Sequence, residues 1–231
     1  MRVAVIPALD EEGAISEVVR GLREQVDAVV VVDNGSRDAT AERAREAGAD
    51  VVHEPKKGYG AACLAGVSRA RGLGATVVLF ADGDGSDDPR EASRLLSAIE
   101  RREADLVLGV RTLVERDAMA PVQRFGNWLA PLLMRVLVGA RYRDMPPYKA
   151  VSIEALDRLA LTDQGMGYII QMLLRAHSMC LRVVEVDVVH RPRRAGRSKV
   201  SGTVVGTVRA SAKIVSAILR HAVLHRRAKN P

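Results

Sequence analysis

The sequence predicts an α/β fold in which a mostly parallel sheet is covered by helices on both faces. Strand-like and helix-like segments alternate along the first half of the chain, which is the pattern of a doubly wound sheet. The strand-like segments are apolar throughout, as parallel strands buried on both faces are. Polar motifs follow three of them directly, and such sheets bind ligands beyond the carboxyl ends of their strands.

The first half is predicted to contain five strands and four helices, from apolar runs and from apolar residues at helical spacing. The strands span residues 2–8, 27–34, 49–54, 75–82 and 104–111. The helices span about residues 12–25, a segment ending at Gly48, about 60–72, and a segment that Pro89 opens. Ser36 or Asp38 is the expected cap of the second helix, and Asp88 that of the fourth.

The second half is less regular. Its predicted elements are a helix over 121–140, a polar loop over 141–152, a helix over 166–177, a strand over 181–192, a basic flexible loop over 193–203 and a final helix over about 206–225. Because no internal repeat or low-complexity linker interrupts the chain, one continuous domain is expected.

The net charge of +7 is unevenly distributed along the 231 residues. Residues 182–231 carry twelve Lys or Arg and two acidic residues, a balance of +10, so the rest of the chain carries −3. Such a tail suits phosphates, nucleic acid or an anionic membrane, with a solvated charged helix as the alternative. Only 3% of residues are aromatic, and few rings are available to stack on bases, so no nucleic acid partner is expected.

A cytoplasmic location is expected. The N-terminus enters a strand directly, which does not resemble a signal peptide. No uncharged apolar run reaches the roughly 18–20 residues of a membrane span, and the longest candidate, 128–140, contains Pro131 and Arg135. Cys63 and Cys180 lie in apolar or small-residue surroundings and are expected to be buried free thiols, which suits a reducing compartment.

Four aspartates lie within residues 82–88, directly after a predicted buried strand. Like charges so close repel one another, so a bound cation is expected. Asp82 and Asp84 flank a glycine and suit a divalent ion, Mg²⁺ or Mn²⁺, that completes its shell with substrate phosphates. Gly83 and Gly85 let a bound group approach the backbone.

Further candidate residues follow the other strands. Asp33 can accept hydrogen bonds from a nucleobase or ribose, and so can Glu11 or Glu12, although each is equally suited to capping a helix. The basic run 190–199 presents four cations that suit a phosphate or diphosphate, namely Arg193, Arg194, Arg197 and Lys199. The five histidines lack metal-ligand spacing and are expected to be solvated.

Five ordered segments together resemble family 2 glycosyltransferases of the GT-A fold, and more narrowly the polyprenyl-phosphate glycosyltransferases. These segments are IPALDEE (6–12), VVVDNGSRDAT (30–40), KGYGAACLAG (57–66), FADGDGSDDP (80–89) and RAGRSKVSGT (194–203). The resemblance implies a Rossmann-like domain with a nucleotide-sugar-binding half (1–111), an acceptor-side half (112–205) and a basic C-terminal helix (206–231).

The resemblance also implies roles for individual residues. Asp33 and Glu11 would hold the nucleoside. Asp82 and Asp84 would hold the metal that bridges the diphosphate, with Asp84 and Asp144 as the catalytic carboxylates. Arg197 and Lys199 would meet phosphates of donor or acceptor. The remaining implied substrate contacts are Pro7, Leu9, Gly35, Lys57, Gly58, Gly83, Arg111, Lys149, Gln171 and Arg194.

The chain departs from the family pattern at residues that bear on the acceptor. Lys149 stands where arginine is typical, and it offers a point charge in place of a bidentate fork. Gln171 stands where an acidic residue is common, and an amide cannot take a proton. A hydroxyl acceptor needs a general base, whereas a phosphate monoester, with a second pKa of about 6, is already ionised. Gln171 thus favours a phosphate acceptor, although Asp144 remains available as a base.

The expected activity is metal-dependent, inverting transfer of a hexose from UDP- or GDP-hexose to a polyprenyl phosphate at the inner face of the plasma membrane. The apolar segment 128–140 and the basic tail suit an anionic bilayer, with ordinary packing as the alternative. The other hypotheses are transfer to a soluble hydroxyl acceptor with Asp144 as base, a non-catalytic nucleotide-sugar-binding protein, and nucleotidyl transfer. The oligomeric state is open between a monomer and a homodimer.

Overall fold

The computed structural model describes residues 1–113 and 121–194, which contain a seven-stranded sheet. The strands are β1 (Arg2–Ala8), β2 (Ala28–Asp33), β3 (Asp50–His53), β4 (Val77–Phe80), β5 (Leu106–Leu113), β6 (Lys149–Ser152) and β7 (Val183–His190). Their order across the sheet is β3-β2-β1-β4-β6-β5-β7. Neighbouring strands are parallel except at β6, which is antiparallel to both β4 and β5. The prediction of a mostly parallel α/β sheet is confirmed.

Helices cover both faces of this sheet. They are α1 (Ile15–Arg23), α2 (Thr40–Glu46), α3 (Tyr59–Gly72), α4 (Ala92–Glu100), α5 (Pro121–Val138), α6 (Ile153–Leu159) and α7 (Gly167–Ser178). One buried apolar cluster joins the sheet to α1, α2 and α4, and a second joins it to α3, α5, α6 and α7. Within 1–113 and 121–194, no helix is long and apolar enough to cross a membrane.

The alternation of side chains within the strands produces these two clusters. In β1, Val3 and Val5 belong to the cluster on the α3 side, whereas Ala4 and Ile6 belong to the cluster on the α1 side. Gly66 allows α3 to lie close to the sheet, because a Cβ there would come 2.3 Å from Cγ1 of Val5. The continuous apolar runs of the sequence are thus strands buried on both faces, as predicted.

Strand β6 was not expected, because it lies inside the predicted polar loop 141–152. Two prolines precede it and a lysine begins it, so its four residues carry no strand pattern. Nevertheless Lys149, Ala150 and Val151 are buried in the middle of the sheet and pair with both β4 and β5. The prediction of a loop is therefore wrong for residues 149–152.

Two further expectations need correction. Helix α2 begins at Thr40 with Ala39 at its N-cap, so neither Ser36 nor Asp38 caps it, although Asp38 accepts a hydrogen bond from the Thr40 amide. Cys180 is exposed and not buried, because it follows the end of α7.

Other expectations are confirmed or remain open. Cys63 is buried. Asp88 caps the 3₁₀ turn Pro89–Glu91, which precedes α4. The predicted basic loop from residue 195 onward and the predicted final helix lie outside the described residues.

The topology brings three polar loops to one edge of the sheet. β1 lies between β2 and β4 and is parallel to both, so the loops after these three strands open side by side. After β1 the chain continues to β2 and β3 on one side of β1, and it then crosses to β4 on the other side. In open α/β sheets such a switch point is where ligands bind.

Candidate functional site

The acidic loop, residues 82–88, is folded by its own carboxylates. Asp84 is 3% exposed, and its Oδ1 accepts a hydrogen bond of 2.9 Å from the Ser86 amide. Asp87 Oδ2 accepts one of 3.1 Å from the Asp82 amide. Asp88 accepts from the Arg90 amide and pairs with Arg90 and Arg191. Asp88 is therefore a cap, as expected, whereas Asp87 holds the acidic loop itself.

Asp82 carries the strongest electrostatic strain of the acidic loop. Burial raises its pKa well above the usual range, and the neighbouring Asp84 and Asp87 raise it further, while Lys149 and Arg193 act in the opposite direction. A cation at this loop would relieve both effects. The residues therefore fit the divalent ion that the sequence implied.

The carboxylates of the acidic loop are few for a metal site made by protein alone. In the described part of the chain, no three His, Cys, Asp or Glu side chains are grouped as metal ligands. Mg²⁺ is held by one or two carboxylates together with water and substrate phosphates. Asp82 and Asp84 thus suit an ion that arrives with a phosphate-bearing donor.

Arg193 joins two of the predicted site residues. Its Nη1 lies 3.0 Å from Oε1 of Glu11, and its Nη2 lies 2.8 Å from Oδ2 of Asp84. Arg194 pairs with Glu17 on α1, and its predicted contact with substrate stays a prediction. Both arginines belong to the basic run 190–199, which the sequence predicted to suit a phosphate or diphosphate.

The loop after β2 is organised by Asp33 and Asn34. Asp33 Oδ1 accepts from the Ser36 amide at 3.0 Å, and its Oδ2 lies 3.2 Å from Nδ1 of His53. Gly35 adopts a φ of 86°, which favours glycine. His53 was expected to be merely solvated. Because β2 and β3 are in register with Asp33 opposite His53, the parallel pairing brings the two together.

Asn34 connects the loop after β2 to the turn at Gly58. Its Nδ2 donates to the carbonyl oxygens of Glu54 and Lys56, and its Oδ1 accepts from the Gly58 amide at 2.8 Å. An aspartate could accept from Gly58 but could not donate to two carbonyls. Asn34 therefore fixes the turn that presents Lys57, whose side chain is exposed.

The loop after β1 is tied to the loop after β2. Asp10 donates from its amide to Ser36 Oγ at 3.0 Å and accepts from the Arg37 amide at 2.8 Å. The Glu11 amide donates to Thr40 Oγ1 at 2.8 Å. Two of the predicted contacts flank this connection, Pro7 within β1 and Leu9 directly after it.

Arg111 and Asp144 form a largely buried bidentate pair. Arg111 Nε and Nη2 donate to the two carboxylate oxygens of Asp144 at 2.8 and 2.7 Å, and the Met145 amide donates to Oδ1. Burial alone would raise the pKa of Asp144, but the hydrogen bonds and charge of Arg111 outweigh it and lower the pKa. A general base must reach the proton that it removes, and it is most effective with a pKa near the operating pH. The pair with Arg111 engages both oxygens of Asp144 and favours its ionised form, and the role of Asp144 as a base stays a prediction.

Lys149 lies beneath the acidic loop with no exposed surface. Its Nζ donates to the carbonyl oxygens of Pro147 at 2.9 Å and Pro146 at 3.3 Å, and it lies 5.1 Å from the centre of the Phe80 ring. The predicted direct contact with substrate is not available in this conformation. The positive charge of the ammonium group interacts electrostatically with the acidic loop and opposes the rise in the pKa of Asp82.

Gln171 holds the loop that contains Thr162 and Asp163. Its Oε1 accepts from the amides of Thr162 and Asp163 at 2.8 and 3.0 Å. That loop packs on the turn at Gly58, where a Cβ would come 2.2 Å from the Gln164 oxygen. Gln171 therefore supports the Gly58 turn from behind. Arg197 and Lys199 lie outside the described residues, and their roles stay predictions.

We expect Lys149→Met to remove a pH-dependent part of the stability. Burial lowers the pKa of Lys149 from 10.5 to about 8. The unfolded chain therefore binds more protons than the folded chain between these values, so the free energy of unfolding rises with pH there. At 1.36 kcal/mol per pKa unit, the contribution of Lys149 from pH 7 to pH 9 is about 1 kcal/mol.

Urea unfolding of both proteins at the two pH values measures this contribution. The change in the free energy of unfolding between the two pH values must be compared between the variant and the wild type. Burial raises the pKa of Tyr142 and Tyr148 in both proteins, and these groups lower the stability as the pH rises. If the variant and the wild type change equally with pH, the interpretation of Lys149 is wrong.

The family model described as Glycosyl transferase family 2 matches residues 3–146. A glycosyltransferase of Mycobacterium tuberculosis is 37% identical over 204 residues, which cover 88% of this chain and 91% of that protein. An undecaprenyl-phosphate mannosyltransferase of Micrococcus luteus is 33% identical over 221 residues, with coverages of 89% and 90%. A polyprenol monophosphomannose synthase of Mycolicibacterium smegmatis is 33% identical over 195 residues, with coverages of 76% and 71%.

Solved structures share the fold. A glucosyl-3-phosphoglycerate synthase from Mycobacterium tuberculosis, in complex with Mn²⁺, UDP-glucose and phosphoglyceric acid, superposes with a TM-score of 0.78 at 22% identity. The match covers 96% of this chain and 79% of that chain. At this identity the likeness shows the GT-A fold alone.

Proposed function

The chain belongs to glycosyl transferase family 2, and we propose that it moves a hexose from UDP- or GDP-hexose to a polyprenyl phosphate. The reaction is metal-dependent and inverts the configuration of the anomeric carbon. The observation that carries the proposal is the convergence at one sheet edge of Asp33, Glu11 and the acidic loop, each at the end of a different neighbouring strand.

The residues divide between the two ends of the donor. Asp33, with His53 beside it, receives the nucleoside, because its carboxylate lies at the end of β2 on a loop fixed by Asn34. Asp82 and Asp84 receive the diphosphate side through Mg²⁺ or Mn²⁺. When bound, that ion supplies positive charge to the departing nucleoside diphosphate. Gly83 lets the acidic loop pack closely on β1 and α1, because a Cβ there would meet Ile15 and Ile6 at 3.3–3.4 Å.

The pairing of Asp144 with Arg111 supports a phosphate acceptor. A hydroxyl nucleophile needs a base, and the carboxylate expected to serve as one is held by a guanidinium. A phosphate monoester brings an ionised oxygen of its own. That oxygen forms the bond to the anomeric carbon as the bond from this carbon to the diphosphate breaks, and the electron pair leaves with the nucleoside diphosphate. The buried cation Arg111 suits the acceptor phosphate.

The named relatives support the lipid acceptor. Two of them carry undecaprenyl phosphate or polyprenol in their names and match most of this chain at 33% identity. The solved neighbour with phosphoglyceric acid bound is less than 25% identical, so its soluble acceptor carries no argument for this chain.

Incubation with radiolabelled donor sugars and polyprenyl phosphate, followed by partition between water and organic solvent, tests the proposal. We expect label in the organic phase only when the donor, the acceptor and Mn²⁺ or Mg²⁺ are all present. A labelled product that stays in water would point to a soluble acceptor. Tight donor binding without any product would support a non-catalytic protein, and pyrophosphate release from a nucleoside triphosphate would indicate nucleotidyl transfer.

We also propose that the outer face of α5 rests on the cytoplasmic face of an anionic membrane. Leu132 and Val136 are 37% and 69% exposed on this helix, and Arg135 is exposed between them. Apolar side chains with an adjacent cation suit the boundary of an anionic bilayer. This contact would bring the site to a lipid-linked acceptor.

Vesicle flotation tests this contact. The wild type should float with vesicles that contain anionic lipid, and Leu132→Ser with Val136→Ser should reduce the bound fraction several-fold, because about 25 cal/mol of transfer free energy is lost for each Å² of apolar surface. Neutral vesicles are the control for charge. Equal flotation of the variant and the wild type would remove α5 from the proposal.

A further inference from the structure

Arg193 connects loops that are far apart in sequence. It follows β7, whereas Glu11 follows β1 and Asp84 follows β4. Its two terminal nitrogens lie 3.0 Å from Glu11 Oε1 and 2.8 Å from Asp84 Oδ2. The side chain of Asp84 is almost fully buried and that of Arg193 is about one-third exposed. The guanidinium thus covers the carboxylate from the solvent side.

The backbone around Arg193 is also attached to the acidic loop. The Arg191 amide donates to the Ser86 carbonyl at 2.9 Å, and the Arg194 amide donates to the Asp84 carbonyl at 3.2 Å. His190 forms an isolated antiparallel bridge with Asp87. We call residues 190–194 the strap, because they run along the acidic loop like an added strand.

The contact with Arg193 engages the Asp84 oxygen that is not bonded to the Ser86 amide. Asp84 Oδ1 already accepts from Ser86, so Oδ2 is the oxygen turned toward Arg193. A guanidinium and a divalent cation at the same oxygen repel each other. Arg193 therefore has to leave Asp84 when an ion binds there.

We propose that Arg193 is an internal counter-ion of the acidic loop, which it neutralises in the free protein and releases when a divalent cation and a diphosphate take its place. The inference rests on the proposed function only in assigning the cation to Asp82 and Asp84. Occupation of the donor site and release of the Arg193 side chain from Asp84 are then one coupled event. The cation alone must compete with Arg193, whereas a nucleoside diphosphate gives the displaced guanidinium an alternative anionic partner.

Mn²⁺ titration monitored by electron paramagnetic resonance, without donor or acceptor, tests the proposal. We expect Arg193→Met and Arg193→Gln to bind Mn²⁺ about tenfold more tightly than the wild type, because a desolvated competing cation is removed. Arg193→Lys should lie between them, because lysine keeps the charge but lacks the fork that reaches both carboxylates. The matched control is Arg182→Met, whose guanidinium pairs with Asp105, next to the start of β5, and whose Mn²⁺ affinity should stay within roughly twofold.

The same titration with nucleoside diphosphate present should reduce the difference between the wild type and Arg193→Met. Unchanged or weaker Mn²⁺ binding by folded Arg193→Met and Arg193→Gln would overturn the proposal, and so would absence of Mn²⁺ binding by every variant. Thermal unfolding establishes that the variants are folded, and Arg193→Lys gives the same comparison if the neutral variants do not fold. Tighter Mn²⁺ binding by the neutral variants supports the inference even if no lipid-linked product forms, so the two proposals can fail separately.

Discussion

Asp84→Asn is expected to reduce sugar transfer by about 10²–10³-fold, the range seen when one charge-stabilising group is removed from an active site. Asp84 is buried, and its two oxygens face the Ser86 amide and Arg193. An asparagine keeps one acceptor but turns a donor toward the guanidinium or toward the ion. The variant therefore loses the charge that the cation and its diphosphate require.

Asp82→Asn is expected to reduce sugar transfer without reducing the stability of the protein. Burial and the charges of Asp84 and Asp87 raise the pKa of Asp82, so the ionised carboxylate is unfavourable in the folded protein. We expect this variant to lose transfer to a similar extent while its melting temperature is unchanged or higher. Glu103→Gln, an exposed acid paired with Arg101, is the matched control and should transfer normally.

Transfer and thermal unfolding are measured on the same preparations. Transfer by either aspartate variant within tenfold of the wild type would mean that the acidic loop does not carry the metal. A large loss of stability in Asp82→Asn would contradict the electrostatic strain assigned to that residue.

Arg111→Lys is expected to reduce transfer by about 10²-fold while the protein remains folded. Arg111 donates through two nitrogens to Asp144, and lysine keeps the charge but cannot form this fork. The charge at the acceptor side is then displaced from its fixed position. Arg111→Met goes further, because it leaves the buried Asp144 without its partner, a change that costs about 3–5 kcal/mol of stability.

Asp144→Asn distinguishes a positioning role from a basic one. If Asp144 holds Arg111, this variant loses part of its transfer rate without moving the acid limb of the pH–rate profile. If Asp144 is the base, that limb disappears together with the activity. Arg182→Met provides the control, because its pair with Asp105 is exposed on the arginine side and exposed pairs contribute at most about 1 kcal/mol.

The elements with strong local patterns could be predicted from the sequence alone. Strands β1, β2 and β4 are apolar runs buried on two faces, and parallel pairing then brings their ends together without further information. This is why Asp33, Glu11 and the acidic loop could be assigned to one site. The family resemblance added the roles of metal and phosphate to these positions.

The remaining features depend on contacts that no local pattern encodes. β6 is a four-residue strand that begins with Lys149, and its burial follows only from its place between β4 and β5. Arg193 meets Glu11 across 182 residues of sequence. Asp144 pairs with Arg111, which is 33 residues away and on a different element. In each case the tertiary partner decides the role of the side chain.

A comparison of two acceptors that differ by one phosphate tests the central claim most directly. The enzyme, one labelled nucleoside-diphosphate hexose and Mn²⁺ are incubated with polyprenyl phosphate or with the polyprenol of the same chain length. The account predicts labelled lipid from polyprenyl phosphate and none from polyprenol, because the site supplies a cation at Arg111 and no free base at Asp144. Equal transfer to polyprenol, or a product that remains in water, would contradict it.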